Sequence, residues 1–167
     1  MDRKSSGVTN VVFAGLGGQG VLKASDIAAD AAFRAGFDVK KSELHGMSQR
    51  GGSVSSDVRF GERVESPMVP PGGADFLVVI APDQLEVNRW QLRNGGVLIA
   101  PSMIDAHALT NKKALNVALL GMLSALVEIP EEHWQAAIRS NLPEKVHEAN
   151  LAAFELGRQA ARREFRP

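Results

Sequence analysis

Residues 10–15 are almost wholly apolar, the pattern of a strand covered on both faces. They run into a cluster of glycines (Gly15, Gly17, Gly18 and Gly20), and beyond it Leu22, Ile27, Ala31 and Ala35 recur at helical spacing. That spacing predicts a helix over residues 20–35, ended by Gly36. Phe37–Leu44 reads as a second strand, so the chain opens with a strand–helix–strand unit whose two strands should run parallel. The next stretch, His45–Ser53, is a polar, glycine-containing loop where a simple doubly wound fold would place a helix. From Ser53 to Gly61, Val54, Ser56, Val58 and Phe60 fall on one face of a half-exposed strand.

Glu65–Gly73 is too rich in proline for regular structure. Ala74–Pro82 is continuously apolar and predicts a central strand. Asp83 is expected to N-cap a helix reaching about Arg93, which Asn94-Gly95-Gly96 stops before a strand at Val97–Pro101. Between Lys112 and Glu128 apolar residues surround the helical axis, which predicts a buried helix. Pro130 and Pro143 suit the first turns of two further helices, each followed by acidic residues. The last helix carries Val146, Ala149, Ala153, Gly157 and Ala160 as a stripe of small residues that lets another helix approach closely. No repeat, low-complexity region or internal boundary interrupts the pattern, so residues 1–167 read as one domain with its core over about 9–157.

Composition then narrows the function. Lys plus Arg equals Asp plus Glu at 19 each, so no global field favours nucleic acid or a membrane surface. The absence of cysteine excludes disulfides, thiolate metal sites, Cys-ligated iron–sulfur clusters and cysteine nucleophiles from this chain. Any redox centre must be carried elsewhere. The start, MDRKSSGVTN, has no apolar signal core, and no apolar run reaches the ~20 residues of a membrane span, so a soluble cytoplasmic protein is expected. Tyrosine is absent and aromatics are few, which argues against a stacking platform for single-stranded nucleic acid.

Two segments can carry chemistry. Gly15, Gly17, Gly18, Gln19 and Gly20 match G-x-G-x-x-G between a strand and a helix, where unpaired N–H groups and the helix dipole favour an anion such as a phosphate. The same glycines also suit a tight turn for close strand–helix packing. A dinucleotide site would require an acidic residue at the end of the second strand, and Glu43 stands near that position. The second segment presents Gln49 and Arg50 beside Gly51 and Gly52. An Arg among glycines suits phosphate or carboxylate recognition, and equally an inter-subunit salt bridge. His45 has no partner at metal spacing, and His107, His133 and His147 are scattered. Ser53, Ser55 and Ser56 lie along a strand, away from any nucleophile elbow. Neither a catalytic constellation nor a metal site is readable.

The segments GLGGQGVLKAS (Gly15–Ser25), SELHGMSQRGGSVSSDVRFG (Ser42–Gly61), SPMVPPGGADFLVVIAP (Ser66–Pro82) and NKKALNVALLGML (Asn111–Leu123) occur in that order. Together they resemble the gamma subunit or domain of the pyruvate- and 2-ketoisovalerate-type 2-oxoacid:ferredoxin oxidoreductases. The His-Gly-Met-x-Gln-Arg-Gly-Gly version is most similar to the small (beta) subunit of indolepyruvate:ferredoxin oxidoreductase. The resemblance implies a single three-layer Rossmann-like α/β domain, with a mostly parallel sheet and helices on both faces. It also implies a non-redox subunit of a complex that converts a 2-oxoacid, here an arylpyruvate, to an acyl-CoA and passes electrons to ferredoxin. Thiamine diphosphate and iron–sulfur clusters are expected on large partner chains, with coenzyme A as co-substrate. No cofactor is expected on this chain alone, and the isolated chain is expected to be inactive. Gly15, Gly17, Gly18, Gln19, Gly20, Gln49, Arg50, Gly51 and Gly52 are the residues to which the resemblance assigns the acceptor side.

Two alternatives stand beside this reading: a free-standing dinucleotide-binding oxidoreductase, and a purely structural interaction module. A homodimer of the isolated chain also stays open. One departure from the family pattern affects the sheet edge. Only MIDAHALT (Met103–Thr110) separates the segments matching Val97–Ser102 and Asn111–Asn116, where family members have a longer stretch with an additional strand. Either the edge is trimmed or residues are missing there.

Overall fold

The computed structural model describes residues 7–45 and 51–166. Strand β1 (Val8–Leu16) leads through the glycine turn into helix α1 (Val21–Arg34), followed by β2 (Asp38–His45), β3 (Ser53–Gly61) and β4 (Ala74–Val79). The short helix α2 (Leu85–Asn88) and strand β5 (Leu92–Ile99) come next, and helices α3 (Leu115–Ser124), α4 (Glu131–Asn141) and α5 (His147–Glu164) complete the domain.

The five strands form one sheet in the order β2-β3-β1-β4-β5. β1, β4 and β5 pair in parallel, and β3 lies antiparallel between β1 and β2. The sheet is therefore mostly parallel. The expected parallel relation of β1 and β2 holds in direction, but β3 separates them. Only residues 46–52 separate β2 from β3, too few for a crossover helix, so the chain returns from β2 as its antiparallel neighbour and β3 stands between β2 and the central β1.

Helices cover the two faces unequally. On one face Phe13, Val58, Phe76, Val78 and Ile99 pack against α1, α3, α4 and α5 in the main core. On the other, Val12, Ala14, Leu77 and Val79 are covered by Val69 of the proline-rich connection and Leu85 of α2. Opposite alternation along β1 and β4 explains why both strands are buried throughout their centres. Helix α1 ends as its sequence predicts: Gly36 sits at φ +93°, its N–H donates to Phe33 and that of Phe37 donates to Ala32, a Schellman stop.

Two local expectations are corrected. Asp83 does not cap a continuous helix; residues 82–91 form a 3-10 turn, the single turn of α2 and a second 3-10 turn, entered from Ala81 with Pro82 in the first position. Nor does Asn94-Gly95-Gly96 precede the last strand. It lies inside β5 as a bulge, where pairing jumps from Ala74–Leu92 to Phe76–Val97 and Gly95 takes φ +73°. The stretch Met103–Thr110 contains the end of one 3-10 turn (Pro101–Met103) and another at Ala106–Ala108, leaving β5 as the sheet edge.

The small-residue stripe does what it predicts. A Cβ on Gly157 of α5 would lie 1.8 Å from the carbonyl oxygen of Ala118 on α3, and one on Gly121 would lie 2.0 Å from that of Phe154. The two helices cross backbone to backbone. Among the described residues no helix is long and apolar enough to span a membrane.

Candidate functional site

The glycine turn stands at the carboxyl edge of the sheet, where neighbouring parallel strands β1 and β4 send their connections to opposite faces. Such a switch point leaves a crevice beyond the strand ends. The turn is held by its own residues. The Gln19 N–H donates to the Leu16 carbonyl at 3.2 Å, and the Leu16 N–H donates to Gln19 Oε1 at 2.8 Å. Gln19 thus closes the corner, and its amide oxygen is already engaged.

The glycines divide by role. Gly15 is buried, and a Cβ there would meet Val21 of α1 at 2.8 Å and Ile80, just past β4, at 3.3 Å, so it serves close packing of the turn. Gly18 and Gly20 occupy the left-handed region at φ +87° and +81°. Gly17 does not; its requirement is modest, with a Cβ 3.4 Å from the Gly51 nitrogen. Gly20 is the N-cap of α1 without any side-chain cap, and no acidic residue occupies the first turn. The N–H groups of that turn have no partner inside the helix and open towards the exposed residues 17–19.

Two contacts join this corner to the rest of the molecule. The Gly17 N–H donates to the Gly52 carbonyl at 2.9 Å, extending the β1–β3 ladder past Leu16–Ser53. Asn116, the buried polar residue at the start of α3, donates from Nδ2 to the Gly20 carbonyl at 3.2 Å. The structure therefore brings Gly15, Gly17, Gly18, Gln19 and Gly20 together with Gly51 and Gly52. Gln49 and Arg50 lie outside the described residues. Sequence reasoning missed Asn116 as part of the corner, although a lone amide in an otherwise apolar helix was its signal.

Glu43 does not complete a dinucleotide site. It sits on β2, two strands from β1 and so about 10 Å away across the sheet. Its carboxylate accepts from Lys41 Nζ at 2.9 Å. Lys41 also bonds Asp26; burial pushes its ammonium down, but the two carboxylates outweigh that and leave its pKa raised. His45 and His107 are exposed, and His147 Nε2 lies 2.7 Å from the Leu142 carbonyl. Among the described residues no group of three or more His, Asp or Glu side chains could hold a metal ion.

On the opposite side of β3, a groove of about 640 Å³ opens between the ends of β2 and β3, the proline-rich connection and residues 84–91. Asp57 lies along it, accepting from the Val69 N–H at 2.9 Å; burial raises its carboxyl pKa, against the opposing effects of that bond and of Arg59.

This architecture is shared. The pattern of the pyruvate ferredoxin/flavodoxin oxidoreductase family matches residues 10–160. The chain belongs to that family, and it is of the kind that forms a subunit of 2-oxoacid:ferredoxin oxidoreductases. It is similar to the indolepyruvate oxidoreductase subunit IorB of Thermococcus kodakarensis, 36% identical over 195 aligned residues that take in 92% of this chain and 96% of the relative. The alignment is longer than the 167 residues of this chain, so the relative carries insertions against it. The ketoisovalerate oxidoreductase subunit VorA of Methanothermobacter marburgensis is 31% identical over 92% of this chain, which spans 36% of VorA. The crystal structure of a keto/oxoacid ferredoxin oxidoreductase gamma subunit from Geobacter sulfurreducens superposes with a TM-score of 0.78, at 26% identity, covering 92% of this chain and 98% of that one.

Proposed function

We propose that this chain is the small, non-redox subunit of a complex that oxidatively decarboxylates an arylpyruvate of the indolepyruvate kind to an acyl-CoA. The similarity to IorB over nearly its full length supports that substrate class. Thiamine diphosphate and iron–sulfur clusters, supplied by large partner chains, would provide decarboxylation and electron transfer to ferredoxin. This chain, which has no cysteine to ligate a cluster, would shape the acceptor side.

The observation that carries the reading is the fused corner at the switch point. Gly17 and Gly52 are tied at 2.9 Å, and the uncapped first turn of α1 opens above them. Free N–H groups, positive φ at Gly18 and Gly20, and the Gln49-Arg50 pair that precedes Gly51 in the sequence suit a phosphate-bearing ligand such as coenzyme A. In this reading Gly15 and Gln19 set the shape of the turn, Gly17, Gly18 and Gly20 let the ligand approach, and Gly51 and Gly52 anchor the Arg50 segment. The position of Glu43 two strands away favours this over a free-standing dinucleotide enzyme.

The test is ferredoxin reduction by the co-expressed complex at varied coenzyme A. Arg50→Ala is expected to raise the apparent coenzyme A requirement on the order of 10- to 100-fold, the loss of one charge-assisted contact, with assembly intact. Failed assembly with an unchanged requirement would make Arg50 an interface residue. Full activity in the large chain alone would overturn the reading, and tight NAD(P)H or flavin binding by the isolated chain would replace it.

A further inference from the structure

Large apolar side chains that remain exposed are concentrated in one place. Among the described residues five are strongly exposed, and four of them (Leu44, Met68, Val87 and Trp90) line the groove on the α2 face. The fifth, Phe33, sits on α1 against the other face of the sheet. Residues that could have satisfied themselves elsewhere are held outward by three different elements: β2, the proline-rich connection and the 82–91 segment. Trp and Met exposed on a concave apolar patch are typical of the side chains enriched in protein–protein interfaces. Of the carboxylates that line it, Glu43 is paired with Lys41 at 2.9 Å and Asp57 accepts from the Val69 N–H at 2.9 Å.

We propose that this groove seats an apolar segment of the large thiamine-bearing companion chain. The inference rests on the subunit reading above and names the surface through which it acts. Two observations choose this occupant. The same domain occurs within a VorA chain of which it makes up about a third, so in such relatives the remaining polypeptide is tethered to it and available to cover a constant face. A second copy would have to set this same patch against itself across a two-fold axis. Among the described residues the one strongly exposed large apolar side chain outside the groove, Phe33, lies on the opposite face, where insertion into a neighbour's groove would generate an open chain of molecules.

The test compares complexes co-expressed with the large chain. Val87→Glu/Trp90→Glu is expected to weaken association at least 100-fold, while Phe33→Glu leaves it within 3-fold and all variants keep the wild-type thermal midpoint. A second measurement needs no substitution. The chain has two tryptophans, buried Trp134 and exposed Trp90. With 5-fluorotryptophan in the wild-type chain, the Trp90 fluorine signal should lose its solvent isotope shift on complex formation, and that of Trp134 should not change. Wild-type affinity in the double variant overturns the groove proposal and leaves the subunit reading standing. A wild-type chain that does not bind the large chain at all overturns both. A stable homodimer abolished by Val87→Glu/Trp90→Glu assigns the groove to a second copy and overturns the proposal too.

Discussion

The Gly17 N–H donates to the Gly52 carbonyl at 2.9 Å, one register step beyond the Leu16–Ser53 pair. Two glycine segments separated by more than thirty residues of sequence are thus one continuous piece of backbone, so the turn cannot move without the start of β3. Gly17 nonetheless tolerates a side chain better than its neighbour. It lies outside the left-handed region, whereas Gly20 has φ +81° and a Cβ there would fall 2.4 Å from Asn116 Nδ2. Gly17→Ala is expected to change stability by less than about 0.5 kcal/mol. Gly20→Ala should cost about 2 kcal/mol, from the left-handed backbone and the displaced Asn116. Thermal denaturation of both variants checks this; equal losses would mean that backbone conformation is not what selects glycine here.

The crossing of α3 and α5 gives a prediction whose sign is opposite to helix propensity. In an isolated helix, replacing glycine by alanine stabilises by roughly 0.5–1 kcal/mol. At Gly157 the new Cβ would meet the Ala118 carbonyl at 1.8 Å, and at Gly121 the Phe154 carbonyl at 2.0 Å. Each alanine variant should therefore destabilise the domain by about 3 kcal/mol, because two backbones must separate and reopen the core around Leu119 and Phe154. Urea unfolding is the measurement, and a stabilised variant would refute the packing.

What the sequence disclosed follows the range of the interactions involved. The Gly36 stop, the β1 and β4 runs and the Gly157 stripe depend on neighbours a few residues away, so local pattern reveals them. The insertion of β3 between β1 and β2 depends on pairing Ser53–Gly61 with Val8–Leu16, 37 to 53 residues back, and alternation along β3 cannot name its neighbour. Asn94-Gly95-Gly96 has the composition of a helix stop and serves as a bulge because β4 imposes the pairing. At the site, the glycine turn was legible from its motif. The Asn116 contact and the groove were not, since their residues converge from elements remote in sequence.

Asp57 should make stability depend on pH in the sense opposite to a salt-bridged carboxylate. Burial raises its pKa above the ordinary value in the folded chain. The folded state therefore binds the proton more tightly, and this contribution is fully present below the unfolded pKa near 4 and lost as pH rises through the folded value. Asp57→Asn keeps an acceptor for the Val69 N–H without a desolvated charge. The variant should be more stable than wild type at pH 7, with the difference shrinking towards pH 4. Denaturant midpoints at the two pH values check it; a variant less stable at pH 7 would show that the charge is better compensated than its burial suggests.

At the opposite edge of the sheet, Asp75 binds two elements with one carboxylate. Oδ1 accepts from Arg93 Nε at 2.7 Å and Oδ2 from the Asn10 N–H at 2.8 Å, while Asn10 Oδ1 accepts from Arg59 Nε at 2.7 Å. Asp75 is 3% exposed, so removing the guanidinium takes one compensating partner from a buried charge. The Arg93 side chain is 30% exposed, and water can take part of its place. Arg93→Ala should accordingly cost roughly 2–3 kcal/mol, towards the lower end for broken buried pairs. Asp75→Asn/Arg93→Ala should recover part of that loss, because the neutral amide still accepts from Asn10 and carries no charge to be compensated. A double-mutant cycle in urea decides between the possibilities: additive losses would mean that the pair is a surface contact of little consequence, whereas a recovery of more than about 1 kcal/mol identifies the buried carboxylate as the source of the cost.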